Sequence, residues 1–283
     1  MSEKIIIYEP HQRARTGFFK TIILLIKNVI EYRELIMQLF KRDFLMSYKK
    51  SFLGMSWHFI APLMGIISWV FMNATGVLTP GDVGIPYPAY VLLSSSVYGL
   101  FMGFYGGAQG TLSAGSGFIM QVKFPHDILL IKQALQQLAS FAITFGVSLI
   151  TLLFFGVIPS WMLILFPLLM LPIFFLGSAI GLMSSIIAVV APDIQRGIGF
   201  VMGLLLYLTP VIYSPNVANP MLREVIKWNP LTYLIGGLRD SIIYGRITNF
   251  DRYLISAFIS LIIFSVTWRI FYITEEKVIE KMI

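Results

Sequence analysis

Cysteine is absent from this sequence of 283 residues, and acidic residues are scarce, with 14 Asp and Glu against 21 Lys and Arg. Without cysteine, the chain can form no disulfide, no thiolate zinc site and no cysteine nucleophile. Only 12% of the residues are charged, whereas 57% are hydrophobic and 14% are aromatic, unlike the composition of a soluble domain. The first 15 residues lack a long apolar run, so we expect no cleavable signal peptide. The composition indicates a membrane protein.

Six apolar stretches, none with an acidic residue in its interior, are present in the chain. Since a bilayer core about 30 Å thick needs roughly 20 apolar residues in helix, the stretches predict an all-α membrane protein with six transmembrane helices. We expect this transmembrane domain (54–273) to be flanked by a cytoplasmic N-terminal segment with an interfacial amphipathic helix (1–53) and by a cytoplasmic tail (274–283). The predicted spans are 54–78, 88–112, 130–157, 161–190, 198–213 and 253–273.

The basic residues predict the orientation of the chain. If all six stretches cross, sixteen of the 21 Lys and Arg fall on the side of the termini, ten of them before the first span. The positive-inside rule then places both termini in the cytoplasm. Topology and anionic lipid headgroups account for the net charge of +7, so no nucleic-acid partner is required.

The segment before the first span predicts a helix at the membrane surface. Residues 15–30 are too charged and too short to span a bilayer, and we expect them to lie on the membrane or to serve as a linker. From Tyr32 to Lys50, apolar residues recur at helical spacing, which is typical of an interfacial amphipathic helix. Its basic residues either fix the topology or hold a lipid phosphate; the candidates for phosphate binding are Arg42, Lys49 and Lys50.

The segment between the fifth and sixth spans, about 215–250, is broken by prolines. Asn219 with Pro220, and Asn229 with Pro230, each pair an N-cap residue with proline at the first helical position, and Gly245 is suited to a helix end. Two helices of about 8 and 15 residues would reach only about 12 and 22 Å, too short to cross. We therefore predict a re-entrant or surface-lying hairpin on the external side, which accounts for charged residues such as Arg239 and Asp240.

Glycine and aromatic residues recur in the spans. G-x-x-x-G spacing permits close helix approach, either within the chain or at a dimer seam; it occurs at Gly103 and Gly107, Gly106 and Gly110, Gly177 and Gly181, and Gly199 and Gly203. In the second span, aromatic side chains fall near one helical face, where they could contact sugar rings or simply pack against lipid or core. These are Tyr98, Phe101, Phe104 and Tyr105.

A short polar segment follows the second span on the cytoplasmic side. Pro125 forces Phe124 toward extended geometry, and charged residues flank this pair. An exposed aromatic residue within a charged cluster is suited to docking into a partner's cleft. The candidate docking residues are Lys123, Phe124, Pro125, His126 and Asp127.

Three of these regions resemble the permease subunits of ATP-binding-cassette polysaccharide exporters. The resemblance is carried by the entry segment YRELIMQLFKRDFLMSYKKSFLGMSWHFIAPL, the cytoplasmic motif KFPHDIL, and the strings TPVIYSP, WNPLTYLI and RD. With these motifs in matching places, the resemblance covers essentially the whole chain. The chain departs from the family's pattern at Ser47, His126 and Pro192, where arginine is usual. His126 is therefore interpreted as a surface residue.

The resemblance implies a function and partners. It implies a homodimer in the bacterial inner membrane that exports a lipid-linked polysaccharide, with two copies of a separate ATPase subunit that holds ATP and Mg. Residues 123–127 would receive force from the ATPase, and the hairpin would gate the external end. Aromatic residues of spans one, two and five would line the channel: Trp57, Tyr98, Phe101, Tyr105, Tyr207 and Tyr213.

Other functions receive less support from the sequence. The chain has no G-x-x-x-x-G-K-[ST] phosphate loop, so it cannot bind ATP in that way. An intramembrane enzyme acting on polyprenyl lipids needs converging acidic, basic or metal-binding groups, and a metal site is not expected because the three histidines are far apart in the sequence. Ion-coupled secondary transporters commonly carry buried carboxylates and internal repeats, which are not evident. Among polysaccharides, O-antigen is preferred, with capsular polysaccharide and teichoic acid as alternatives.

Overall fold

The computed structural model describes residues 17–49, 56–112 and 127–280, and these residues form helices and their connections. Prolines in the first turn begin several of the helices, since a missing N–H costs nothing there. A 3-10 helix, Trp161–Leu165, precedes α6. The α-helices are α1 (Phe18–Glu31), α2 (Arg33–Lys49), α3 (Trp57–Ala74), α4 (Tyr87–Gln109), α5 (Asp127–Phe154), α6 (Phe166–Leu169), α7 (Leu171–Val190), α8 (Pro192–Leu208), α9 (Pro220–Trp228), α10 (Pro230–Tyr244) and α11 (Phe250–Glu280).

Four helical segments among the described residues are long and apolar enough to cross a membrane. They are Tyr87–Gln109, Ile128–Phe154, Trp161–Val190 and Phe250–Glu275, which correspond to the second, third, fourth and sixth predicted spans. The helices at the first and fifth predicted spans, α3 and α8, have 18 and 17 residues. The all-helical prediction is confirmed, whereas the count of six crossings stays a prediction.

Helix α4 lies at the centre of the bundle. It packs most extensively against α7 and α5, and α11 packs on the other side of α7. The approach of α4 and α7 is close because a Cβ atom at Gly181 would lie 2.3 Å from the Tyr105 carbonyl oxygen and 2.6 Å from the Ala108 Cβ. Gly177 meets the α4 backbone in the same way, with the Phe101 carbonyl oxygen 2.9 Å from its Cβ position. This glycine pair therefore serves packing within the chain.

The other glycine pairs divide between packing and open space. Cβ atoms at Gly103 and Gly107 would contact Gln137 and Gln133 of α5, so this pair also packs within the chain. Around Gly199 and Gly203 on α8, no atom of the described residues lies within 4 Å of the Cβ position. Within the described part of the chain, the α8 pair therefore does not serve packing.

The connections meet at two opposite ends of the bundle. At one end, the Ser214 amide donates to the Pro80 carbonyl (2.7 Å) and the Ser160 amide donates to the Ile242 carbonyl (2.7 Å), so three loops converge with α10. At the other end, α1 and α2 pack against α5, and the Arg269 guanidinium lies over the Phe18 ring at 5.5 Å. The N-terminal helices and the broken hairpin are thus far apart.

Candidate functional site

Between α8 and α9 the backbone is irregular, and its peptide groups need partners from outside a helix. Residues 209–219 form turns and bends, although Thr209, Val211 and Ile212 are buried. Buried carbonyl groups without a hydrogen bond are costly, all the more in a membrane protein. The partners come from side chains of α4 and α10.

Two tyrosines in the first turn of α4 bind this irregular segment. The Tyr87 hydroxyl donates to the Ile212 carbonyl at 3.0 Å. The Tyr90 hydroxyl lies 2.9 Å from the Tyr213 carbonyl and 3.2 Å from the Pro210 carbonyl. Both tyrosines are buried, so the hydroxyl groups are positioned by packing.

Arg239 of α10 contacts both Tyr90 and the irregular segment. It is 6% exposed, and its Nη1 donates to the Tyr90 hydroxyl at 2.6 Å while the guanidinium lies 4.7 Å above the Tyr90 ring. Its Nε and Nη2 both lie 3.1 Å from Oδ1 of Asp240. Oδ2 of Asp240 accepts a hydrogen bond from the Thr248 hydroxyl at 2.6 Å. We call Tyr87, Tyr90, Arg239 and Asp240 the hairpin clasp.

The clasp shows how two charged residues of the predicted hairpin are placed. Arg239 and Asp240 are expected among the charged residues of an external hairpin, and Arg239 is buried in the protein. The reason is that α10 packs against α4 and α11, with Leu234, Leu238 and Ile242 fully buried. Only α9 lies at the surface, where Ile226 is its single buried residue. The two helices of the hairpin therefore have different environments.

The predicted helix caps of the hairpin are confirmed. The Asn219 side chain accepts from the Leu222 amide at 3.1 Å, and that of Asn229 accepts from the Leu231 amide at 3.0 Å. Pro220 and Pro230 are the first residues of α9 and α10, which have 9 and 15 residues. Asn229 has a further role, since its amide nitrogen donates to the Leu208 carbonyl (3.0 Å) and the Thr209 hydroxyl oxygen (2.9 Å).

At Gly245, α10 ends in a left-handed conformation with φ of 65°, as predicted. A residue with a side chain is disfavoured at this φ, and glycine is not. The Gly245 amide donates to the Ser241 carbonyl at 3.2 Å. The helix therefore stops before the loop that leads into α11.

The aromatic residues predicted to line a channel fall into two groups. Trp57 and Tyr207 are about half exposed, at 49% and 52%. The Tyr213 side chain is partly buried, and its hydroxyl donates to the Tyr207 carbonyl at 2.8 Å. These three lie on or near the side of α3 and α8 that no helix of the described residues covers, which we call the open side.

The other three predicted channel residues, all on α4, are buried. Phe101 is 0% exposed and Tyr105 is 5% exposed, and both belong to the hydrophobic core because α4 is covered by α5 and α7. The Tyr98 hydroxyl donates to the Met202 carbonyl at 3.1 Å and holds α8 against α4. Within the single chain, therefore, Phe101 and Tyr105 are core residues and do not form a channel surface.

Tyr98 also lines a partly open cavity of about 390 Å³ among α3, α4, α5 and α8. Its walls carry the aromatic residues Trp69 and Phe141 together with polar Gln137 and Thr144. The sequence analysis did not identify this cavity, because its lining comes from four separate helices.

An ion pair joins the N-terminal helices to α5. Lys132 is 5% exposed, and its Nζ lies 2.6 Å from Oδ2 of Asp43 on α2. Arg42 binds Oδ1 of the same carboxylate, with Nη2 at 2.6 Å. Burial alone would raise the pKa of Asp43, but hydrogen bonds and charge from Lys132 and Arg42 outweigh it and hold this pKa below its ordinary value.

The remaining predicted residues are described only in part. Lys49 is the last residue of α2 and Asp127 the first of α5. Lys50, Lys123, Phe124, Pro125 and His126 lie outside the described residues. Among the described residues, no group of three His, Cys, Asp or Glu side chains could hold a metal ion.

The candidate site residues that the sequence analysis did not identify are Tyr87, Tyr90 and Lys132. Each carries a signal in the sequence: two tyrosines one helical turn apart at the start of an apolar span, and one lysine near the start of another. Tyrosine hydroxyls and lysine ammonium groups in such positions need partners when they are buried. The sequence does not identify the partners, because they lie about 90 to 150 residues away along the chain.

Together, the apolar helices and the clasped break define a polytopic helical membrane protein with a hairpin inserted between two of its helices. The family model for the ABC-2 type transporter matches residues 34–243, from α2 to the end of α10. The chain belongs to the ABC-2 type transporter family. The matched region therefore includes the bundle helices from α3 to α8 and the hairpin, whereas α11 follows it.

Curated relatives of the chain carry one common name. The chain is 23% identical over 263 residues to the O-antigen export system permease protein RfbA of Myxococcus xanthus. The alignment covers 92% of this chain and 100% of the relative. The chain is also 23% identical over 250 residues to a protein of that name from Klebsiella pneumoniae, covering 84% and 91% of the two chains. A further Klebsiella pneumoniae protein of that name is 22% identical over 224 residues, covering 75% and 81%.

Proposed function

We propose that this chain is the permease subunit of an ATP-driven exporter of O-antigen polysaccharide in the bacterial inner membrane. The observation that carries the proposal is the family match over residues 34–243, joined to relatives that align over most of both chains and are named O-antigen export permeases. The transported polysaccharide would be linked to a polyprenyl pyrophosphate. ATP and Mg would be held by a separate ATPase, of which two copies act on a permease homodimer.

The arrangement of the connections supports six crossings with cytoplasmic termini. The loops before α4 and before α6 meet α10 and the 209–219 segment at one end of the bundle, and α1 and α2 lie at the other. This is the arrangement expected if α3, α4, α5, α6 with α7, α8 and α11 cross in alternating directions. The hairpin of α9 and α10 would then be a re-entrant gate on the external side, anchored by the clasp.

The substrate would enter at the cytoplasmic face. Arg42, Lys49 and Lys50 would receive the lipid pyrophosphate, because guanidinium and ammonium groups bind phosphate oxygens strongly. Arg42 is bound to Asp43, so a phosphate would have to compete with this carboxylate. The glycan would then pass between two copies of the open side of α3 and α8, along Trp57, Tyr207 and Tyr213.

The force for this movement would reach the bundle at residues 123–127, next to the start of α5. Helix α5 is joined to α2 by the Lys132 to Asp43 ion pair. A displacement of the docking residues by the ATPase would therefore act on the interfacial helix as well as on α5. In this way ATP binding would be coupled to the lipid entry site.

The experiment is to purify the chain with the ATPase encoded beside it, reconstitute both in liposomes and measure ATP hydrolysis with and without polyprenyl-linked O-antigen. Glycan-stimulated hydrolysis that requires both proteins is expected. Stimulation by a capsular or teichoic acid precursor alone would reassign the substrate. Failure to bind any ATPase would overturn the proposal in favour of a secondary transporter or an enzyme.

A charge-reversal series tests the coupling residues in the same assay. Lys123→Glu and Asp127→Lys are expected to abolish glycan-stimulated hydrolysis. Lys227→Glu is the control, because Lys227 lies on the surface of α9 in an exposed pair with Glu224. Unchanged stimulation in the two docking variants would show that the ATPase binds elsewhere.

A further inference from the structure

The partly open cavity among α3, α4, α5 and α8 has no role in the proposed transport mechanism. Its volume of about 390 Å³ lies within the roughly 300–1,000 Å³ that is common for small-molecule sites. Its lining includes Ser95 and Gly99 from the middle turns of α4, and Gln137 and Thr144 from the middle turns of α5. The cavity therefore lies about midway between the two ends of the bundle.

Two polar side chains of the lining have no hydrogen-bond partner among the described residues. They are Ser95 and Gln137, which are both half-buried. Their polar atoms are not among the buried atoms that the protein seals from water. The neighbouring Ser96, in contrast, donates to the Leu92 carbonyl of its own helix at 2.9 Å. The Ser95 hydroxyl and the Gln137 amide can therefore bond to a molecule inside the cavity.

Aromatic rings form fixed parts of the cavity wall. Trp69 packs edge-on against Tyr207, with ring centroids 6.4 Å apart, and Phe141 stacks on Phe145 at 4.9 Å. Rings held in this way offer flat faces and edges to another ring. None of the described lining residues is charged, so an ion inside the cavity would lose its water without gaining a counter-charge. The lining favours a neutral ligand that contains a ring.

An apolar groove along α3, α4 and α5 leads to the cavity. It has a volume of about 520 Å³ and shares Ile66 and Leu92 with the cavity lining. Phe71 in this groove is 66% exposed, so the groove is open at the outside of the chain. The one polar side chain among its described lining residues, Thr151, already donates to the Val147 carbonyl at 2.9 Å. A molecule on this path meets hydrocarbon, which favours a lipid-soluble ligand.

We propose that the cavity binds a small, neutral, lipid-soluble ring compound that carries a hydroxyl or carbonyl group. The ring would pack among the aromatic side chains, and its oxygen would bond to Ser95 and Gln137. Since α3 and α8 contribute walls, an occupied cavity would hold these two helices to α4 and α5. The proposal rests on the lining alone and does not depend on the proposed function.

The test is photolabelling of the purified permease in phosphatidylcholine liposomes, without an ATPase. The probe is benzyl alcohol with a trifluoromethyldiazirine group on its ring, which light converts to a carbene that inserts into neighbouring bonds. Mass spectrometry identifies the labelled peptides. We expect saturable labelling of the cavity lining on α3, α4 and α5. Labelling of exposed residues on α11, such as Phe258, should rise with probe concentration without saturation.

Two glycine variants separate filling of the cavity from a change in the fold. Gly99 lines the cavity, and no atom of the described residues lies within 4 Å of its Cβ position, so Gly99→Leu should fill the space. Gly146 on α5 has the same free space but lies outside the lining, which makes Gly146→Leu the control. Gly99→Leu should remove the saturable labelling and Gly146→Leu should keep it. Neither variant should melt below the wild type, because leucine favours a helix over glycine.

Two unlabelled competitors test the hydrogen bond. They are 4-(trifluoromethyl)benzyl alcohol and 4-(trifluoromethyl)toluene, which lacks the hydroxyl group. The alcohol should displace the probe at about fivefold lower membrane concentration, the effect of one hydrogen bond. The double variant Ser95→Ala with Gln137→Leu should lose this difference. Labelling that does not saturate, that survives in Gly99→Leu, or that both competitors displace equally from the wild type overturns the proposal.

Discussion

At the scale of single residues, Arg239 is the cation that joins the hairpin to the bundle. Its guanidinium contacts the Tyr90 ring and hydroxyl, and its partner Asp240 reaches the Thr248 hydroxyl. Arginine is suited to this position because its planar fork of donors serves several acceptors at once and stacks on an aromatic ring. Lysine carries a charge and three donors but lacks the planar fork.

Replacing Arg239 by glutamine should destabilise the fold by about 3 kcal/mol, since it leaves the largely buried Asp240 carboxylate without its counter-charge. Arg239→Lys should recover only part of this loss. Thermal unfolding in detergent measures the effect. Arg196→Gln is the control, because its pair with Asp193 is exposed and should contribute less than about 1 kcal/mol. Equal melting temperatures for Arg239→Gln and the wild type would contradict the role of the clasp.

Asp43 should make the stability of the protein depend on acid pH. Its folded-state pKa is lowered, so its ionised form stabilises the fold fully above the pKa of an unfolded aspartate, about 3.9, and the contribution is lost as the pH falls through the lower folded-state pKa. Melting temperatures of wild type and Asp43→Asn, measured at pH values between about 7 and 3, should therefore converge as the pH falls.

At neutral pH, Asp43→Asn should be the less stable protein, since it leaves the buried Lys132 without a carboxylate partner. Asp193→Asn removes an aspartate that is 94% exposed, and it should follow the pH dependence of the wild type. A constant difference between wild type and Asp43→Asn across the pH range would show that the ion pair does not contribute to stability.

At the scale of secondary-structure elements, the two helices of the hairpin begin in the same way but are attached differently. Asn219 caps α9 at the surface, whereas Asn229 caps α10 and also donates to the end of α8. The second asparagine therefore joins three elements: α8, the irregular segment and α10. The amide group is required there, because one side chain must both accept and donate.

An asparagine-to-aspartate pair of variants tests this difference. Asn229→Asp keeps the cap but places a carboxylate oxygen near the Leu208 carbonyl, and it should lower stability by about 1–3 kcal/mol. Asn219→Asp should be neutral or raise stability by up to about 1 kcal/mol, because a helix N-terminus favours negative charge. The measurement is thermal unfolding of both variants, and equal effects would mean that Asn229 acts only as a cap.

At the scale of the whole molecule, one side of α8 is not covered by any helix of the described residues. Phe200, Val201 and Tyr207 are 70%, 55% and 52% exposed, and no described residue fills the space at Gly199 and Gly203. In the proposed homodimer, this side would face the second copy, and the exposed side of α3 would lie beside it. The surface around Gly199 and Gly203 would then be a dimer contact.

The absence of native cysteine permits a direct test of this arrangement. Gly203→Cys should be linked to its partner by a short bis-maleimide in membranes and migrate as a dimer on a denaturing gel. Phe258→Cys is the control, because Phe258 is 65% exposed on α11, away from α8. Efficient linkage of Phe258→Cys but not Gly203→Cys would place the dimer contact on the other side of the bundle.

The sequence by itself determined the helices and much of the hairpin. Apolar run lengths predict helices because backbone groups must be satisfied locally in lipid, and Asn-Pro pairs and Gly245 predict helix ends because their effects are confined to one turn. The resemblance in the entry and hairpin motifs likewise pointed to the family that matches residues 34–243.

Only the tertiary structure decided which residues meet. Tyr90 and Arg239 are 149 positions apart, and Lys132 is joined to Asp43 of a different helix. From the sequence, Phe101 and Tyr105 could line a channel or pack against lipid or core, and they are core residues because α5 and α7 cover that helix. Helical periodicity reports which residues share a face, whereas the neighbour of that face depends on how the helices pack, and this is a property of the whole chain.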